Sequence, residues 1–268
     1  MKNAYVTALC TGDAYVPGVE ALGKSLVATG TRADRVAMVT TDVSESACAH
    51  LRQGGWRVRL VDSIANPSAK GAELFPRFHD TFIKLRAWEL VEYDHVVFLD
   101  ADTIVLHNVD DLFDRPSFAA APDFLLPDRF NSGVIALAPS QAVFDAMIRK
   151  LATSTSYDGG DQGFLNEFFG WYALPAAHRL PTGYNLPQFI YQFLHAHPST
   201  GATLEQEAKI IHYIVQKPWL TSATLVGGSA LWWRAYLGAR PRERGGWKTR
   251  LHAAQDGAFE RLVRLAVR

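Results

Sequence analysis

Sulfur is scarce in this chain, with two cysteines and three methionines in 268 residues. Cys10 and Cys48 cannot build a disulfide framework, so a buried core must hold the fold, and a reducing compartment is expected. Excess charge is also missing, since 27 basic residues balance 27 acidic ones. No stretch approaches the roughly 18 consecutive apolar residues that a membrane span needs. The opening MKNAYVTALCTGDAY carries only a short apolar run before Gly12, Asp13 and Pro17, which does not read as a signal peptide. No internal repeat is visible. Disulfide scaffolds, membrane spans and solenoids are thereby set aside, and a cytoplasmic location is expected. The remaining composition, 48% apolar and 20% charged, is that of a globular protein of one large domain or two small ones.

The neutral balance hides an asymmetry. From Gly228 to Arg268, nine Lys/Arg stand against three Asp/Glu, so an acidic body carries a basic tail. An acidic body does not suit nucleic acid as a partner. The chain therefore divides at 226/227, with residues 1–226 as the main domain and 227–268 as a Trp/Arg-rich tail. That tail is expected to be loosely packed and to end in a short amphipathic helix around RLVRLAVR. With Trp232, Trp233 and Trp247 it suits peripheral contact with an anionic membrane. Packing on the body or self-association as a homodimer would suit it equally.

Along the body, NAYVTALC (3–10), RVAMVTT (35–41), WRVRLVD (56–62) and HVVFLDAD (95–102) read as buried strands. Between them, Pro17 opens a helix carrying Val19, Leu22 and Leu26, and Ser44 caps a second helix that ends before Gly54. A third helix is predicted from Asp80 to Glu92, burying Phe82, Leu85, Trp88 and Leu90. Further on, SFAAAPD, NSGVIALAPS and KIIHYIV read as strands, while QAVFDAMIRKLA and the stretch after YDGG read as helices. Alternating strands and helices predict an α/β fold, a Rossmann-like mostly parallel sheet with helices on both faces. Ligands of such sheets bind beyond the carboxyl ends of the strands. Asp100 and Asp102 lie at one of those ends.

Two carboxylates with only Ala101 between them repel unless a cation compensates. Hard oxygen ligands suit Mg²⁺, Mn²⁺ or Ca²⁺, and an ion held by few protein groups keeps positions open for a diphosphate. His212, flanked by strand-like residues, is the candidate third ligand, and an imidazole favours Mn²⁺ over Ca²⁺. Lys84 and Lys217 are cations able to neutralise phosphate. The plain alternatives are a hydrogen-bonded core histidine and solvated lysines.

TFIKLRAWEL (81–90), VVFLDADTIVLHNVDDLF (96–113), FNSGV (130–134), YDGGDQGFLN (157–166) and HYIVQKPW (212–219) occur in this order behind AYVTALCTGDAYVPGVEALGKSL (4–26). Together they resemble the family 8 glycosyltransferases, the retaining glycogenin and galactinol-synthase-like enzymes of the GT-A fold type. The resemblance implies a UDP-sugar donor, UDP-glucose, UDP-galactose or UDP-N-acetylglucosamine, and a hydroxyl acceptor on a glycan or polyol. It implies Mn²⁺, with Mg²⁺ as the alternative, bound by Asp100, Asp102 and His212. Thr7 and Tyr15 would hold the uridine, with Tyr15 stacked on the base. Lys84, Ala101, Asn131, Ser132 and Asp158 would surround the donor. Asp161, Gln162 and Lys217 would do the catalytic work, Lys217 against the departing diphosphate, with Asp161 and Gln162 supporting an oxocarbenium-like state.

Asp161 could alternatively cap the helix behind it, and Asp158 could be a turn residue. Two features depart from glycogenin. Four residues and no glycine separate His212 from Lys217, and Tyr191 lies near glycogenin's self-glucosylated tyrosine only across a gapped alignment. The rival readings are a haloacid-dehalogenase-like phosphatase with Asp100 as nucleophile, and a non-catalytic sugar-nucleotide-binding protein.

Overall fold

The computed structural model describes residues 1–10, 12–66, 81–151, 153–154, 156–196, 206–215, 217–220 and 229–238. Its main sheet has six strands, β1 (Asn3–Leu9), β2 (Asp34–Val39), β3 (Arg57–Leu60), β4 (His95–Leu99), β6 (Phe118–Pro122) and β7 (Phe130–Leu137), in the order β3-β2-β1-β4-β7-β6. The first four are mutually parallel, and β7 runs antiparallel to both β4 and β6. The carboxyl ends of β1, β4 and β6 therefore share one edge with the amino end of β7. That edge carries the site.

Strand residues alternate between two cores, as the two-residue period of a strand requires. Tyr5, Leu9, Ala37, Val39, Val97 and Leu99 face α1 (Val16–Ala28) and α2 (Glu45–Gln53). Ala4, Val6, Val36, Met38, Val96 and Phe98 face the segment Thr81–Glu89, α3 (Gln141–Leu151) and α4 (Asp161–Phe169). Both faces are covered, which explains the continuous apolar runs. α1 begins with Pro17 in its first turn, and Ser44 caps α2 by accepting the Ala47 N–H at 3.1 Å.

The structure departs from the sequence reading in three places. Thr81–Glu89 winds as a 3₁₀ helix, not an α-helix. Phe82, Ile83, Lys84, Leu85, Ala87 and Trp88 are all buried, while Arg86 and Glu89, paired at 2.8 Å, stay partly exposed. β9 (Ile210–His212) falls within the expected strand KIIHYIV, but its sheet with β5 (Thr103–Val105) and β8 (Leu186–Pro187) was not foreseen, because strands as short as β5 and β8 show no periodicity. Finally, Ser229–Tyr236 is a helix, α6, whose Trp232 is fully buried against Ile104, Ile211 and Tyr213. This stretch of the tail is packed, and Trp232 is unavailable to a membrane surface. Trp247 and the basic helix around RLVRLAVR lie outside the described residues.

Candidate active site

A cavity of about 440 Å³ opens at the shared edge of the sheet. Its acidic floor is the turn after β4, where the Asp100 carbonyl accepts both the N–H and the hydroxyl of Thr103, at 3.1 and 2.8 Å. This turn solves the geometric difficulty of two carboxylates on one extended chain, since Asp100 and Asp102 now face the same side. β9 then pairs antiparallel with β5, placing His212 opposite Thr103. The His212 Nε2 lies 3.2 Å from an Asp102 oxygen and 3.9 Å from an Asp100 oxygen. Ligand atoms of Asp100, Asp102 and His212 all fall within 4.8 Å of one another.

The imidazole is oriented from behind. Its Nδ1 meets the Asn185 side-chain oxygen at 2.9 Å, and only a protonated Nδ1 can make that bond. Nε2 is thus the ring nitrogen turned toward the carboxylates. Asn185 in turn donates to Asn131 Oδ1 at 2.8 Å. Gly133 makes room for the ring, because a Cβ there would collide with the His212 imidazole. Two carboxylates and one oriented imidazole form a group that could hold a metal ion.

Two lysines compensate the acids. Lys84 is buried, with its ammonium 3.0 Å from Asp100, 2.8 Å from Asp161, and bonded to the Ser132 carbonyl and hydroxyl. Burial disfavours its charge, yet Asp100 and Asp161 prevail and hold its pKa above the usual lysine value. Lys217 pairs closely with Asp102 and donates to the carbonyls of Tyr213 and Ile214. The acids differ as a result. Burial, opposed by Lys84 and assisted by Asp102, raises the pKa of Asp100. At Asp102 burial is outweighed by His212 and Lys217, and its pKa lies below the usual carboxylate range.

The remaining wall belongs to β7 and α4. The Ser132 hydroxyl donates to Asp161 at 2.8 Å, and its N–H donates to the Gln162 side-chain oxygen at 3.2 Å. Asp161 is not the helix cap, because that position belongs to Gly160. Asp158 lines the cavity, while its Oδ1 accepts from the Ser156 hydroxyl and from the N–H groups of Gly160 and Gly163. It therefore organises the turn as well. Tyr15 borders the cavity beside Ala8, Leu9 and Cys10, its ring edge-on to Trp219. Ala101 and Asn131 also line it. Thr7 does not; its side chain is buried within β1 and its hydroxyl finds no partner among the described residues. Tyr191, on α5 (Gln188–Ala196), is likewise absent from the wall, where Phe189 of the same helix stands instead.

Sequence reasoning missed Asp123, Asn185 and Gly133. Asp123 accepts from Asn131 and Gln162 at 3.2 and 3.3 Å. It follows the carboxyl end of β6, so the strand-end rule that singled out Asp100 would have found it. Nothing in the sequence marks Asn185, whose role arises only when β8 meets β9.

The site and fold define a class, glycosyltransferases of GT-A architecture. The family model "Glycosyl transferase family 8" matches residues 6–122. The chain is 40% identical to Homo sapiens Glycogenin-1 over 81% of its own length and 62% of that protein, and 39% identical to Caenorhabditis elegans Glycogenin-1 over 85% and 53%. Inositol phosphorylceramide glucuronosyltransferase 1 of Arabidopsis thaliana is 36% identical, over 88% and 44%. The chain thus spans about half the length of these curated relatives. Among solved structures, the galactosyltransferase LgtC, in complex with donor and acceptor sugar analogs, aligns with a TM-score of 0.60 at 20% identity, over 91% of this chain and 99% of that one. The apo glycosyltransferase GlyE of Streptococcus pneumoniae TIGR4 aligns with a TM-score of 0.61 at 23% identity, over 97% and 64%. This protein belongs to glycosyl transferase family 8, and that membership leaves the phosphatase reading without support.

Proposed function

We propose that the chain is a retaining hexosyltransferase that takes its sugar from a UDP-sugar and passes it to a hydroxyl of a carbohydrate or polyol acceptor. The observation that carries this reading is the convergence of Asp100, Asp102 and His212 at one point, with Lys84 and Lys217 beside them. A divalent ion held by those three ligands, Mn²⁺ or Mg²⁺, supplies Lewis-acid stabilisation to the leaving diphosphate. Lys217 adds a second positive charge at the same place, and Lys84 offsets the charges of Asp100 and Asp161. Tyr15 takes the uracil ring. Asn131, Ser132, Asp158, Gln162 and the Ala101 backbone surround the sugar and diphosphate. Asp161 is already bound by Lys84 and the Ser132 hydroxyl, which fits electrostatic support of an oxocarbenium-like state better than attack on the anomeric carbon. Substitution on the face that the diphosphate leaves follows from that assignment.

The relatives span glycogenin, inositol phosphorylceramide and xylan enzymes, so the acceptor does not follow from kinship. Residues 1–226 form the transferase domain in this reading. The tail beyond residue 238 serves peripheral membrane contact or dimerisation of a cytoplasmic enzyme. No described helix is long and apolar enough to cross a membrane. The test is a panel of UDP-sugars with Mn²⁺, following UDP release by the purified protein. One sugar should support release and EDTA should abolish it. Calorimetry showing no UDP binding with Mn²⁺ present would remove the reading, and tight binding without turnover would favour a binding protein.

A further inference from the structure

The polar floor of the cavity gives way abruptly to large wetted apolar side chains. Three chain segments make this change, each within a few residues of the site. Asp123, which bridges Asn131 and Gln162, is followed directly by Phe124 and Leu125, and both line the cavity. Pro187 pairs with His212, and Phe189 stands two positions beyond it on the wall. His212 itself leads to Val215, also on the wall. Leu125 is 78% exposed, Val215 73% and Phe193 55%. Phe189 and Phe193 are four apart on α5 and so share one face, and the Phe124 ring meets Phe189 edge-on at 6.0 Å. The result is a continuous apolar strip running from the cavity mouth along α5, with Leu126 beside it. Exposed apolar surface of this kind marks a binding region.

We propose that the acceptor is an amphiphile whose hydroxylated head enters the cavity while its aliphatic chain lies along the strip of Phe124, Leu125, Leu126, Phe189, Phe193 and Val215. The inference rests on the transferase reading above and adds the acceptor's chemical class. Continuity decides the occupant. The strip begins inside the reaction cavity, so whatever covers it also reaches the reacting centre. Its leucines and valine offer aliphatic contact along its length. A free sugar, whose surface is mostly hydroxyl, would leave them wet.

Nile red is the probe, with dodecyl maltoside below its micelle concentration and maltose as competitors. The full chain should bind the dye saturably, and dodecyl maltoside should displace it while maltose does not. In Leu125→Ser/Phe193→Ser, and separately in Phe189→Ser, affinity should fall by about tenfold or more, as expected from losing several buried methylenes. UDP binding with Mn²⁺ should stay unchanged in both variants. Absence of saturable dye binding overturns the proposal, as does binding undiminished in both variants. A dimer that the double variant converts to monomer also overturns it, because a second copy would then cover the strip. Loss of UDP binding by the wild-type chain overturns the transferase reading itself and is told apart by its separate calorimetric readout.

Discussion

The stretch from His95 to Phe113 contains two acidic pairs, Asp100 with Asp102 and Asp110 with Asp111. Around the second pair the partners are chiefly hydroxyls and cations that arrive from different sides. Asp110 accepts from Tyr5 and Thr31, each at 2.7 Å, and from Asn108 at 3.1 Å. Asp111 is bonded by Tyr184 and lies 3.6 Å from the Lys209 ammonium. Burial, reinforced by Asp110, pushes the Tyr5 phenol's pKa well above its usual value, so the hydroxyl stays a permanent donor. The first pair instead converges on a common point with His212, inside a cavity. Paired acids alone therefore say little; a site is distinguished by ligand atoms that aim together and leave room for something else.

Substitutions can break or sharpen this contrast. The largest expected effect is on turnover. Asp102→Asn should lower UDP release about a thousandfold, the loss of several kcal/mol of charge stabilisation, while the circular dichroism spectrum is retained. The matching change Asp110→Asn should leave kcat near wild type; equal losses in both would erase the distinction. Lys84→Met should act mainly on the fold. It leaves Asp100 and Asp161 facing each other without a cation, and urea unfolding should show about 3–5 kcal/mol less stability. Gly133→Ala and Asn185→Ala should each weaken Mn²⁺ binding by about 10–100-fold in calorimetry, the first by displacing His212 and the second by freeing its tautomer.

A smaller effect comes from pH. The pKa of Asp100 is raised and that of Asp102 lowered, so acidification from neutrality protonates Asp100 first. A proton on that carboxylate competes with the ion, so Mn²⁺ affinity should fall as pH falls, by about tenfold per unit below the Asp100 pKa. Calorimetry with Mn²⁺ across the acidic range checks this, and Asp100→Asn should flatten the profile. The smallest expected change belongs to the structural pair. Tyr5→Phe should cost about 1 kcal/mol in urea unfolding and nothing in turnover.

Much of this architecture was legible because it rests on uninterrupted patterns. Four apolar strands ending in polar turns announced the parallel half of the sheet, and the strand-end rule pointed to Asp100 and Asp102. The rest depends on encounters between distant segments. β9 was read as a strand, but β8 is too short to show a period, so the sequence carried no sign that Asn185 would stand behind His212. Thr81–Glu89 looked α-helical because its apolar residues are dense, whereas it winds as a 3₁₀ helix with even Lys84 buried. Trp232 suited either a membrane surface or packing on the body from its sequence surroundings, and it packs on the body in one cluster with Ile104 and Tyr213. Lone aromatic residues do not declare which side of them will be dry.

The short ladder between β5 and β9 has a thermodynamic corollary. It is a seam that joins parts of the chain far apart in sequence, with Asp102 and Lys217 115 positions from each other. An unfolded chain has no such junction, so an ion gathered there binds the native state alone. It acts as a clasp on the carboxy-terminal half, and each tenfold rise in free ion above its dissociation constant adds about 1.4 kcal/mol to the folding equilibrium. The melting temperature of this protein should therefore climb with the logarithm of Mn²⁺ concentration, so that a thermometer can report on the occupancy of its reaction centre.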